Sequence, residues 1–166
     1  MADCQISVIS LTIACWGHET PIDFFSRTRS YSFMFTISKA FSFCYGHRLR
    51  GDQSKCRHLH GHSAKAVLYL QSATLDERGM VMHFHELKQN FGKWIDEEID
   101  HVMLLDEKDP LITELKKQNE RFKALPFAPT AENIARLFFE MAKEFSLPVS
   151  KVEIWESETS CASYSA

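Results

Sequence analysis

Nine consecutive residues, KCRHLHGHS at 55–63, hold one cysteine and three of the chain's eight histidines. Neutral imidazoles and thiolates are the ligands zinc prefers, and the same side chains move protons near neutral pH. On a strand, side chains two apart point the same way, so His60 and His62 project to one side, about 7 Å apart at Cα. Rings converging from such positions can share one ion at about 2.0–2.1 Å. Gly61 leaves the opposite face of that short stretch unencumbered. A third ligand must come from elsewhere. His47 is the candidate, because it ends the preceding alternating segment just across a polar loop. Three histidines with an open fourth position make a catalytic zinc site, whereas a structural site is closed by four ligands.

H-x-H on its own fits surface histidines equally well. A cysteine four residues upstream of the first histidine, and a further histidine at the end of the preceding strand, strengthen the metal reading. His83 and His85 form a second i, i+2 pair, but where a strand is expected to become a helix. Their rings need not be parallel there, and helix capping or a surface role competes with ligation. His58 has no strand register and reads as solvent-facing.

The elements that must carry these residues follow from periodicity. MFTISKAFSF at 34–43 alternates Phe35, Ile37, Lys39, Phe41 and Phe43 against the small residues Thr36, Ser38, Ala40 and Ser42, the pattern of a strand with one buried face. HSAKAVLYLQ at 62–71 alternates again, with Ala64, Ala66, Leu68 and Leu70 on one side. LDERG reads as a turn into a short strand, MVM at 80–82. Phe84, Leu87, Phe91, Trp94 and Ile95 then form one helical stripe. A second helix follows PTAENIARLFFEMAKEF. Thr130 is its N-cap, Glu132 lies in its first turn, and Ile134, Leu137, Phe138, Met141 and Phe145 form its inner face. VSKVEIWES closes with another strand. Strands in hairpin-like order with helices between predict an α+β fold, an antiparallel sheet with helices on one face. Residues 1–33 lack a sustained period and read as a dispensable N-terminal extension, with 34–166 the working domain; an extra strand and turn docked on the core is the alternative.

Composition bounds the function. At 166 residues, 45% hydrophobic and 25% charged, the chain is most simply one ordinary globular domain. A net charge of -3 argues against nucleic acid as the principal partner. The apolar run at 6–16 is too short for a bilayer and has no basic leader, so neither a membrane span nor a secretory signal is expected. Five scattered cysteines without C-x-x-C spacing suit a reducing cytoplasm.

Six motifs then add a family likeness. FSFCYGHRL, KCRHLHGHS, GMVMHFHELK, IDHVMLL, PTAENIA and WESETSCASY resemble, in order and spacing, the 6-pyruvoyl-tetrahydropterin and 6-carboxy-tetrahydropterin synthase family over about residues 34–164. The resemblance implies a tunnelling (T-) fold: a four-stranded antiparallel sheet with two helices on one face. Trimers close the sheets into a barrel and stack in pairs as a homohexamer, with active sites between subunits. It implies 7,8-dihydroneopterin triphosphate as substrate, and zinc held by His47, His60 and His62. Cys56 matches the catalytic cysteine, and Asp100 with His101 the proton-handling pair on the other side of the substrate. Glu156, eight residues before Tyr164, matches the glutamate that grips the pterin, with Thr130 a second substrate contact.

The C-x-x-x-HGH spacing resembles the bacterial carboxy-tetrahydropterin branch that serves queuosine synthesis. The animal-type pyruvoyl branch has two more residues there, and a folate-shunt branch carries glutamate at or beside the cysteine. The expected activity is therefore a zinc-dependent carbon–carbon lyase. Triphosphate elimination to a 6-pyruvoyl product, and a catalytically silent pterin-binding member, are the alternatives. Arg48, Arg50, Lys55, Arg57 and Lys65, against Asp52 alone, form a local basic stretch suited to an anion or simply to solvent. The chain departs from the family pattern at His83, Leu105, Ala131 and Ser157, and at CYG before His47.

Overall fold

The computed structural model describes residues 33–166; the expected extension at 1–33 lies outside the described residues but for Phe33. Two long strands form the spine, β1 (Phe35–His47) and β2 (His60–Ser72), paired antiparallel along their whole length. Their register sets large residues against small ones: Phe41 faces Ala66 and Phe43 faces Ala64. The room left by those alanines is filled from above by helix side chains. Phe43 stacks on Phe138 with ring centroids 5.4 Å apart, and Phe138 meets Trp94 edge-on at 5.1 Å.

β5 (Val149–Trp155) pairs antiparallel with β2, and β6 (Cys161–Ser165) pairs antiparallel with β5. The alternation predicts β1, β2 and β5; β6, which it does not predict, completes the four-stranded antiparallel sheet that the family likeness implies. Two short strands, β3 (Val102–Asp106) and β4 (Phe122–Leu125), extend it parallel to β1, giving the order β4-β3-β1-β2-β5-β6.

The first helical segment runs α1 (Phe84–Leu87), a π-helical turn (Lys88–Gly92) and α2 (Lys93–Glu98). Leu87, Phe91, Trp94 and Ile95 are buried from it, while Phe84, at its start, stays 49% exposed. A short α3 (Leu111–Lys117) links β3 and β4. α4 (Ala131–Glu144) is capped by Thr130, whose Oγ1 accepts from Asn133 N–H at 3.3 Å. Its Ile134, Ala135, Phe138, Phe139 and Ala142 are buried in the same core as the α1–α2 stripe.

One expected strand is absent. Residues 80–82 are irregular, because Asp76 and Met80 exchange backbone and side-chain bonds in the preceding turn. Val81 and Met82 still pack against the core. Among the described residues no helix is long and apolar enough to cross a membrane.

Candidate metal centre and surrounding site

Phe43, Tyr45 and His47 alternate onto one face of β1, and His60, His62, Ala64 and Ala66 onto the matching face of β2. The apolar core therefore runs straight into imidazoles at the end of the hairpin. His47 pairs with His60 and Tyr45 with His62 across the two strands. Gly46 faces Gly61 between those pairs, and a Cβ on Gly61 would meet the Tyr45 carbonyl oxygen at 2.9 Å. Glycine at 61 is what lets the strands approach this closely.

The three rings converge. His47 Nε2 stands 2.9 Å from His60 Nε2 and 3.1 Å from His62 Nε2. Two of the rings have their other nitrogen committed. His47 Nδ1–H donates to the Pro129 carbonyl at 2.7 Å, and His60 Nδ1–H donates to the His58 carbonyl at 2.8 Å. A neutral imidazole carries one proton, so in both rings Nε2 presents a lone pair. His47 is 2% exposed, and burial pushes its pKa down, which keeps that ring neutral. Lone pairs meeting at such distances repel unless a cation lies between them. Donors sharing a tetrahedral ion at about 2.0–2.1 Å stand roughly 3.3 Å apart, so the donor set fits a zinc-like ion. Among the described residues, His47, His60 and His62 form the one group of three such side chains close enough to hold a metal. The carbonyl partners of Nδ1 are the outer-shell contacts that fix ring orientation in such sites.

Glu156 lies beside the triad. Its Oε1 is 3.9 Å from Nε2 of both His47 and His62, and it accepts a 2.6 Å hydrogen bond from the Tyr45 hydroxyl. The neighbouring acids are elsewhere. Glu153 accepts from Tyr69, Lys151 and Trp155, and Glu158 is exposed. Thr130 follows the Pro129 carbonyl that holds His47, so the N-terminus of α4 forms the adjoining wall.

Cys56 sits in a single 3-10 turn (Lys55–Arg57), half-buried, with its N–H donating to Ser54 Oγ at 3.1 Å. Leu49 N–H donates to the Cys56 carbonyl at 2.8 Å, tying this turn to the chain just past His47. Asp100 and His101 flank β1 on its other edge. Asp100 Oδ1 accepts from Cys44 N–H and Oδ2 meets His101 Nδ1, both at 2.7 Å. Although partial burial opposes it, bonds from Cys44 N–H and the His101 ring hold the Asp100 pKa below its usual value. His101 adopts φ 57° and remains 74% exposed at its side chain. It opens onto a groove of about 610 Å³ whose lining includes His62, Cys44 and Arg121 but not Cys56 or Glu156. One chain therefore gathers the triad with Glu156, and separately Asp100 with His101.

His83 and His85 are not a ligand pair: their ring centroids lie 6.3 Å apart, and His83 Nδ1 accepts from His85 N–H as the cap of α1. His58 is exposed. Sequence reasoning missed Tyr45, although its place two residues before His47 puts it on the ligand face. It also missed Asp109, which is 1% exposed at its side chain and holds Arg48 through two hydrogen bonds.

Comparison with known proteins gives a consistent picture. The family model described as 6-pyruvoyl tetrahydropterin synthase matches residues 36–166. A 6-carboxy-5,6,7,8-tetrahydropterin synthase of Aquifex aeolicus is 38% identical, with 77% of this chain and 96% of the relative covered. The enzyme of the same name from Haemophilus influenzae is 37% identical, covering 79% and 99%. Among solved structures, an uncharacterized protein of Wolinella succinogenes superposes with a TM-score of 0.70 at 30% identity, covering 81% of this chain and 99% of that one. The 6-pyruvoyl tetrahydropterin synthase of Caenorhabditis elegans, at 23% identity and a TM-score of 0.60 over 80% and 96%, shares the fold.

Proposed function

The chain belongs to the 6-pyruvoyl tetrahydropterin synthase family, and from that membership we propose that it is a zinc-dependent 6-carboxy-5,6,7,8-tetrahydropterin synthase. The observation that carries this reading is the match, at 37–38% identity and over nearly their whole length, to relatives bearing that name. The fold is the T-fold of the family. The reaction takes 7,8-dihydroneopterin triphosphate and water to 6-carboxy-tetrahydropterin, acetaldehyde and triphosphate, a step toward queuosine in the cytoplasm. The described cysteines, all free thiols, are compatible with that compartment.

His47, His60 and His62 hold the ion through Nε2, in keeping with their convergence and their committed Nδ1 hydrogens. Bound there, zinc supplies a Lewis acid that lowers the pKa of substrate hydroxyls. The remaining work falls to protein side chains. Cys56, as thiolate, takes a proton from the side chain of the substrate. His101 exchanges protons on the opposite side. Asp100 bonds its Nδ1, fixes the tautomer and steadies the charged ring. Glu156 and Thr130 grip the pterin, the carboxylate accepting from its amino and ring N–H groups. Arg50 and Arg57, which with Arg48 line a concavity of about 350 Å³, supply positive charge for the triphosphate. Because His101 opens on a groove that Cys56 does not line, a complete site draws the two from different subunits of a homohexamer.

Purified protein incubated with 7,8-dihydroneopterin triphosphate is expected to release acetaldehyde in step with triphosphate. A 6-pyruvoyl product without acetaldehyde would assign the elimination reaction instead. Cys56→Ala should keep its metal and lose about 10²–10⁴ in kcat; unchanged turnover would remove the thiol from the chemistry.

A further inference from the structure

Tyr45 is 3% exposed, and its hydroxyl touches the one carboxylate oxygen that also faces two ligand nitrogens. The 2.6 Å contact is a short O–H···O hydrogen bond, with the phenol as donor and Glu156 Oε1 as acceptor. Carboxylate oxygen is a ready zinc ligand, and a fourth donor in a tetrahedral set stands roughly 3.3 Å from the others. Glu156 Oε1, at 3.9 Å from two of them, is held just short of that position. Rotation of its side chain by a fraction of an ångström to an ångström at the oxygen would close the gap. The Tyr45 hydroxyl is the hydrogen-bond donor that opposes it.

We propose that Tyr45 is a positioning residue that keeps Glu156 off the metal: its hydroxyl anchors the carboxylate beside the three histidines and so leaves the fourth position open to substrate. Without the hydroxyl, Glu156 moves in and closes a three-histidine, one-glutamate site. The inference rests on the metal reading given under the proposed function, and not on which pterin product is formed.

The test uses full-length protein loaded with Co²⁺ for visible spectroscopy and with Zn²⁺ for chelator competition. Tyr45→Phe is expected to shift the Co²⁺ absorption bands and to bind Zn²⁺ about tenfold or more tightly. Adding Glu156→Gln to that variant should return both readings to those of the wild type. Glu156→Gln alone should change Zn²⁺ affinity less than about twofold, because the carboxylate is not a ligand when Tyr45 holds it. That variant keeps the proposal testable even if Tyr45→Phe folds poorly. A folded Tyr45→Phe with unaltered spectrum and affinity would overturn the proposal while leaving the histidine site standing. A strong loss of affinity in Glu156→Gln alone would overturn it too, by making Glu156 a resident ligand. Wild-type protein that retains neither ion would refute the metal reading itself.

Discussion

Asp109 is the buried charge on which the loop beside the site depends. Its carboxylate accepts from Arg48 Nε at 2.8 Å and from Nη2, and also from Leu111 N–H at the start of α3, at 2.8 Å. The Arg48 bond, the largest cause, lowers its pKa; burial opposes the shift without reversing it. A carboxylate with a lowered native pKa stabilises the fold above its unfolded value of about 3.9, and the contribution fades as pH falls through the native value. Asp109→Asn should therefore cost about 2 kcal/mol at pH 7, roughly 4–8 °C in Tm. Urea titrations should find the gap between variant and wild type closing below about pH 4. A gap independent of pH would mean that the charge is not what matters there. At this scale the three histidines were legible because strand periodicity alone aims His60 and His62 together. The Tyr45–Glu156 and Arg48–Asp109 pairs were not, since their members lie 111 and 61 residues apart and meet only through sheet order.

Among the elements, the β1–β2 hairpin sets the spacing of the triad, and its two facing glycines behave differently. A Cβ at Gly61 would strike the Tyr45 backbone oxygen at 2.9 Å, whereas one at Gly46 would meet the flexible end of Met103 at 2.7 Å. Met103 can swing aside; a paired strand cannot. Gly61→Ala is expected to cost about 1–3 kcal/mol and to lower metal occupancy. Gly46→Ala should cost clearly less, with metal retained. Thermal melts and metal analysis of the two variants check the ranking, and equal penalties would contradict it. The alternation of 34–43 and 62–71, the α1–α2 stripe and the Thr130 cap were readable because each is a local period with one buried face. β3 and β4 were not: IDHVMLL and RFKAL are too short for a period, and their pairing partners are distant in sequence. MVM misled for the opposite reason, being apolar side chains supplied to the core by a segment whose backbone serves a turn.

For the whole molecule, the sheet of one chain ends, among the described residues, in two edge strands, β4 and β6. Open edges invite pairing with another copy, in keeping with the barrel that the family likeness implies and with a site divided between subunits. Analytical ultracentrifugation should find a hexamer, and mixing inactive Cys56→Ala with inactive His101→Ala should restore activity as subunits exchange. A stable, active monomer would contradict the shared site. Residues 1–33 precede the family match at 36–166, and a chain beginning at Met34 is expected to keep the turnover of the full one. Loss of turnover on truncation would give the N-terminal segment a part in the working enzyme. Assembly is implied only by the family likeness, because nothing in local periodicity reports what lies beyond an edge strand.

The central claim is that the imidazoles of His47, His60 and His62 hold one metal ion while the thiol of Cys56 stays off it. X-ray absorption at the zinc edge of the purified protein tests this most directly. About one ion per chain, with three imidazole nitrogens at about 2.0–2.1 Å and only light atoms completing the shell, is the predicted result. A sulfur at about 2.3 Å, or a protein that retains no zinc under the same purification, would contradict it.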